Sequence, residues 1–172
     1  MYKKLLFLLP LFLSFNLSAD PVDIRVSYEI PQIQTSEYHR PYVALWIQDP
    51  TGNVVLNLTV LYDVEMKDNR GEEWLKDLRQ WWRKSGRSVS LPLDAVSAPT
   101  RPVGVHEVEK TDVELPALTE GNYTLMVEAA REVGGREVVK FPFIWDGKEP
   151  VEIQAGGKSE LGSISLTVKK ST

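Results

Sequence analysis

The residues of this chain with chemistry to offer are few, and the most ordered group of them is Asp94-Ala95-Val96-Ser97-Ala98-Pro99-Thr100. An acid, a serine three positions on and a threonine three beyond that, with small residues between, put one carboxylate and two hydroxyls on a short segment. They do not make a catalytic centre. No Ser–His–acid arrangement, phosphate loop or metalloprotease motif occurs, and the acids and bases show no catalytic grouping, so the chain does not read as an enzyme. The absence of Cys removes thiolate chemistry, Cys-ligated iron–sulfur clusters and Cys-based zinc sites. His39 and His106 are the only histidines; haem or copper would have to bind through them, but their separation gives no ligand spacing.

The segment sits in what reads as an exported protein. Lys3 and Lys4 precede the apolar run Leu5 to Phe15, and Leu17-Ser18-Ala19 ends in a small residue, the order of a secretory leader cleaved after Ala19. The run is too short to cross a bilayer, which takes about 20 apolar residues. Residues 1–19 are then the leader and residues 20–172 one domain, long enough to bury a core without staples. No second apolar stretch approaches a span, so the mature chain is expected to be exported and soluble, with peripheral or no membrane contact. An exported chain is permitted disulfides, yet none are used. The formal charge is −4, and −6 once Lys3 and Lys4 leave with the leader. With no basic stripe, the chain is a poor nucleic-acid binder.

Period-two patterning dominates the elements that must position the segment. Val22, Ile24, Val26, Tyr28 and Ile30 alternate with polar residues, a strand with one buried face. Tyr42 to Ile47 is continuously apolar, which predicts a strand covered on both sides. Asp49-Pro50-Thr51-Gly52-Asn53 supplies a turn into a partner strand, Val54 to Tyr62. Between Gly71 and Gly86 the period changes: Trp74, Leu75, Leu78, Trp81 and Trp82 form one stripe of a single amphipathic helix packed on the sheet. Pro92, Pro99, Pro102 and Pro116 mark a long loop with irregular strands near Val105 to Leu115. Tyr123 to Ala129, a Gly134-Gly135 turn, Val139 to Trp145 and Ile164 to Val168 supply the rest, and Pro142 demotes its strand to an edge or a bulge. The expected fold is an all-β, antiparallel, immunoglobulin-like sandwich of seven or eight strands with one inserted helix.

Three blocks of sequence are familiar. Tyr38-His39-Arg40-Pro41-Tyr42-Val43-Ala44-Leu45-Trp46-Ile47, then Trp74-Leu75-Lys76-Asp77-Leu78-Arg79-Gln80-Trp81-Trp82, then Asp94 to Gly104 resemble a predicted-periplasmic family catalogued as domain of unknown function 2271. The likeness continues through Gly121 to Leu125 and Ala129 to Glu132. It implies an exported protein that works beside PepSY-type membrane proteins and flavin transferases. It also implies a flavinylation pattern: Asp, two residues, Thr or Ser, Gly, Ala, then the Thr or Ser that takes FMN as a phosphoester. Asp94 stands at the leading acid, Ser97 at the first hydroxyl and Thr100 at the acceptor, while Ala98 replaces Gly and Pro99 replaces Ala. Pro99 fixes its own φ and pushes Ala98 toward extended geometry.

On that resemblance the protein is an electron carrier with covalent FMN on Thr100. The acceptor has to lie on an exposed, flexible loop; Trp81, Trp82 and Tyr38 are candidate surfaces for the ring, and Arg101 for the phosphate. The alternative is a cofactor-free binding or accessory module of a membrane complex, such as one concerned with iron or haem, in which Tyr38, His39 and Arg40 or the Trp-bearing helix meet a partner.

Overall fold

The computed structural model describes residues 21–113 and 120–172. The expected leader, residues 1–19, and the Leu115–Pro116 end of the irregular region lie outside them. Nine strands occur among the described residues: β1 (Val22–Ile30), β2 (Tyr42–Gln48), β3 (Val54–Tyr62), β4 (Ser97–Pro99), β5 (Gly104–Val113), β6 (Gly121–Ala130), β7 (Arg136–Trp145), β8 (Val151–Gly156) and β9 (Ser163–Lys170). They form a sandwich of two sheets, ordered β5-β1-β9-β8 and β4-β3-β2-β6-β7. All pairings are antiparallel except β3 with β4.

The alternation in β1 does what it predicts. Val22, Ile24, Val26, Tyr28 and Ile30 turn inward onto Val43, Leu45, Ile47, Leu125, Val127, Phe141 and Phe143 of the facing sheet. Each such side chain contributes about 1.5–3 kcal/mol relative to leaving it in water, so the face of β1 is fixed. β2 is buried on both sides. Val43, Leu45 and Ile47 enter the core between the sheets, whereas Ala44 and Trp46 enter a second core under the helical segment, with Val60, Tyr62, Leu75, Leu78, Trp81 and Met126. β7 lies at the sheet edge, where Pro142 costs no ladder bond.

The helical segment differs from its expectation of one helix from Gly71 to Gly86. It is a 3-10 stretch (Lys67–Asp77), a six-residue α-helix, α1 (Arg79–Lys84), and a further 3-10 turn (Gly86–Ser88). Asp68 and Asn69 take left-handed φ values of 60° and 56°, and Leu78, with ψ 67°, separates the two helices. The buried side follows a three-residue period, Leu75, Leu78 and Trp81, as 3-10 winding requires. Trp74 consequently turns away and is 44% exposed.

β4 is the strand the hydrophobic pattern did not announce. It is the Ser97–Pro99 part of the motif itself, aligned parallel to β3 with Val60 opposite Ser97, Leu61 opposite Ala98 and Tyr62 opposite Pro99. The Val60 amide donates to the Val96 carbonyl at 3.0 Å, and Thr59 Oγ1 donates to the same oxygen at 3.0 Å. The motif is therefore held on a sheet edge, which corrects the expectation of a flexible loop. Alternation along the strand puts the Pro99 nitrogen on the open side, where no ladder bond is lost.

Candidate functional site

A tight turn leads into β4. The Ser97 amide donates to the Leu93 carbonyl at 2.9 Å, and the Leu93 amide donates back to Ser97 Oγ at 2.9 Å. Ala95 at the tip has φ 52°, and Lys110 Nζ donates to its carbonyl. Ser97 thus closes the turn, and Asp94 stands exposed on its outside. Thr100 follows β4 directly and is half-buried.

Thr100 and Pro99 form part of the wall of a cavity of about 480 Å³, within the range of about 300–1,000 Å³ common for small-ligand sites. Tyr38, His39 and Arg40 come from the connection before β2, Trp74 and Asp77 from the 3-10 stretch, and Arg131 and Glu132 from the end of β6. Tyr42 adds a third aromatic ring to the lining. The three residues proposed for partner contact and the proposed acceptor, far apart in sequence, therefore share one cavity.

Arg131 is the side chain that sequence reasoning missed. Its guanidinium is held by a nearly buried ion pair, Nε to Glu160 Oε2 at 2.9 Å and Nη2 to Oε1 at 3.1 Å, with side-chain exposures of 6% and 4%. That pairing raises the Arg131 pKa above its ordinary value. The guanidinium carbon lies 5.8 Å from the centre of the Tyr38 ring. The remaining nitrogen, Nη1, is buried and has no partner, and the same is true of the Tyr38 hydroxyl, whose pKa burial pushes up. Only its place at the end of an apolar strand, just before Gly134-Gly135, could have singled Arg131 out.

The histidines are separate. His39 faces two acids, Glu37 Oε1 at 3.0 Å from Nε2 and Glu132 Oε2 at 3.6 Å from Nδ1. His106 lies on β5, where its Nε2 is 2.7 Å from the Pro102 carbonyl and its ring is 5.7 Å from that of Tyr28. No group of three or more His, Cys, Asp or Glu that could hold a metal occurs among the described residues.

Three of the proposed cofactor residues need correction. Trp81 is fully buried, with Nε1 donating to Asn57 Oδ1 at 2.9 Å, so it is a core residue that no ring can reach. Trp82 is half-buried but lines a different concavity, because the short α1 turns it away from Thr100. Arg101 is exposed and does not line the Thr100 cavity; its charge acts on Tyr28, whose pKa burial nevertheless pushes up to about 12.

The concavity at Trp82 is basic. Lys76, Arg79, Arg83, Arg87 and Arg136 surround it. Arg136 is paired with Glu128, and the other four have no ion-pair partner among the described residues. The 67–84 segment thus presents Trp74 and Asp77 to one hollow and Lys76, Arg79 and Trp82 to the other. No helix among the described residues is long and apolar enough to cross a membrane.

No curated protein and no solved structure matches the chain. The family described as "Predicted periplasmic protein (DUF2271)" matches residues 23–163, a span that takes in the Thr100 cavity, the basic concavity and eight of the nine strands complete or nearly so; the chain belongs to that periplasmic family.

Proposed function

We propose that this protein is a periplasmic electron carrier with FMN esterified to Thr100, exchanging electrons with a PepSY-type membrane redox protein. The observation that carries the reading is the position of Thr100: one residue past an edge strand and on the wall of a cavity with three aromatic rings. The residues present fit the group. Thr100 supplies the hydroxyl, and Tyr38, Tyr42 and Trp74 supply ring surfaces. The leader is removed after Ala19, and the mature chain is a carrier with no turnover of its own.

Attachment is the work of a flavin transferase. A pyrophosphate-linked flavin nucleotide donates its FMN phosphoryl group to Thr100 Oγ, which gives up its proton. A P–O bond forms there, and the bond to the departing nucleoside phosphate breaks. The strand geometry presents Thr100 at a sheet edge, where another enzyme can approach. Once bound, the flavin supplies the redox chemistry; the chain tethers it, screens it from water and holds its ring.

The test is the intact mass of the exported protein made with a flavin transferase, beside its Thr100→Ala variant. A gain of one esterified FMN in the parent alone supports the reading. An unmodified parent, with a known carrier labelled in the same cells, sinks it.

A second reading, a cofactor-free module docked on a membrane partner, is favoured by the basic concavity at Trp82. Four cations without ion-pair partners among the described residues, on an acidic chain, suit an acidic surface, and electrostatic docking of this kind weakens with salt. Under it, Arg83→Glu abolishes capture of the membrane partner and Thr100→Ala leaves capture intact.

A further inference from the structure

We propose that the basic concavity at Trp82 docks the protein on anionic phospholipid, with Lys76, Arg79, Arg83 and Arg87 set against the lipid phosphates, a surface assignment that rests on the docking reading above and needs no flavin.

Cations gather here against the trend of the chain. The formal charge of the whole is −4, yet residues 76–87 hold five Lys and Arg residues and a single acid, Asp77. Asp77 lines the Thr100 cavity instead, so no acid lines this concavity of about 540 Å³. Arg136 is neutralised by buried Glu128 at 2.6 Å. The other four cations of the lining are exposed and have no ion-pair partner among the described residues. Arg83 Nε donates to the Arg79 carbonyl at 3.1 Å, which ties one guanidinium to the backbone before anything binds.

The composition of the lining favours lipid over an acidic protein. A protein surface brings cations and amides of its own, and these need acids and acceptors opposite them. Here the only side chain that can accept is Gln80. A phospholipid leaflet asks for less: positive charge for its phosphates, which the guanidinium fork matches, and an amphipathic ring at the boundary. Trp82 is that ring. It packs on the core under the helical segment, its centre 6.4 Å from that of Trp81, and it is only half-buried. Sequence neighbours Lys76 and Asp77 line the two hollows, so docking through one carries the Thr100 cavity close to the membrane surface.

The experiment is flotation of the exported protein with vesicles of phosphatidylcholine alone or with about 30% phosphatidylglycerol added. Expected is binding to the mixed vesicles only, lost as salt is raised. Arg83→Glu removes a cation and adds an anion; at about fivefold per charge near such a surface, it should weaken binding about 25-fold. Its melting temperature should match the parent's, because the side chain is exposed. Lys148→Glu makes the same change in net charge beyond the far end of β7 from Arg136, and should stay within about threefold of the parent.

Equal flotation with neutral vesicles, none with anionic vesicles at low salt, or equal effects of the two substitutions overturns the proposal. Polyglutamate is the rival probe. Arg83-dependent binding of polyglutamate, without binding to anionic vesicles, assigns the concavity to an acidic protein; the docking reading then stands and the lipid assignment alone fails.

Discussion

The Glu128 carboxylate, completely buried on β6, accepts the backbone amide of Trp81 at 2.8 Å. It also takes the Gln80 amide at 3.1 Å and Arg136 Nε at 2.7 Å. A strand residue thus supplies what the start of a short helix lacks, because no side chain of the helix's own caps it. That contact fixes Trp81 in the core and leaves Trp82 at the surface.

Glu128→Ala removes this anchor and leaves two buried amides unmet. Arg136 is 30% exposed and can turn to water, so the loss should lie near the low end for a broken buried pair, about 3 kcal/mol. A lower urea midpoint with unchanged slope, followed by tryptophan fluorescence, is the expected result.

Gly86 follows α1 at a point where the two tryptophans close over the backbone. A Cβ there would lie 2.5 Å from Trp82 Cε3 and 2.7 Å from Trp81 Cζ3. Gly86→Ala should therefore cost about 1–3 kcal/mol by overpacking, read as a fall in melting temperature. The effect is local: where the proposed reading holds, labelling of Thr100 by a flavin transferase should be retained below the melting range.

Pro99→Ala should leave stability within about 1 kcal/mol, since the restored N–H points to the open edge and no ladder bond is involved. The proposed reading then makes a second demand. Relieved of the fixed φ, the segment should be labelled faster by a flavin transferase in a time course of intact mass.

Acid should destabilise the fold through its hydrogen-bonded carboxylates. Burial works against ionised Glu137, but the amides of residues 158–161 outweigh it and hold its pKa below the usual value; the Ser163 amide does the same for Glu29. A depressed folded-state pKa gives stability that is full above the unfolded value, about 4.3, and is lost as pH falls through the folded one. Melting temperature should drop below about pH 4.5, and Glu137→Gln should flatten that limb while lowering the plateau.

The sandwich was legible because burial writes itself into the sequence at short range. The alternation of Val22, Ile24 and Val26 and the unbroken run Val43 to Ile47 each report one or two covered faces. The helix was half legible. Leu75, Leu78 and Trp81 carry a stripe, but the break at Leu78 follows from Glu128, a tertiary partner that no local pattern contains. The strand Ser97–Pro99 was hidden by its proline and its brevity, since three residues cannot show a period. Thr100 stood out through its motif. Arg131 did not, because what distinguishes it is one nitrogen left over after Glu160 is satisfied, and that exists only in the folded chain.

The place of β1 has a consequence for how the chain reaches its compartment. β1 lies between β5 and β9, and its first residue, Val22, pairs with Lys170; the Ser171 amide closes the seam on the Pro21 carbonyl at 3.0 Å. The first of the described strands is thus an inner strand of its four-stranded sheet, and one of its two neighbours is the final strand. A chain threaded through a membrane from its N-terminus cannot complete this sheet until β9 has emerged, and closing so distant a pairing is intrinsically slow. The topology leaves this sheet open until the last strand has passed.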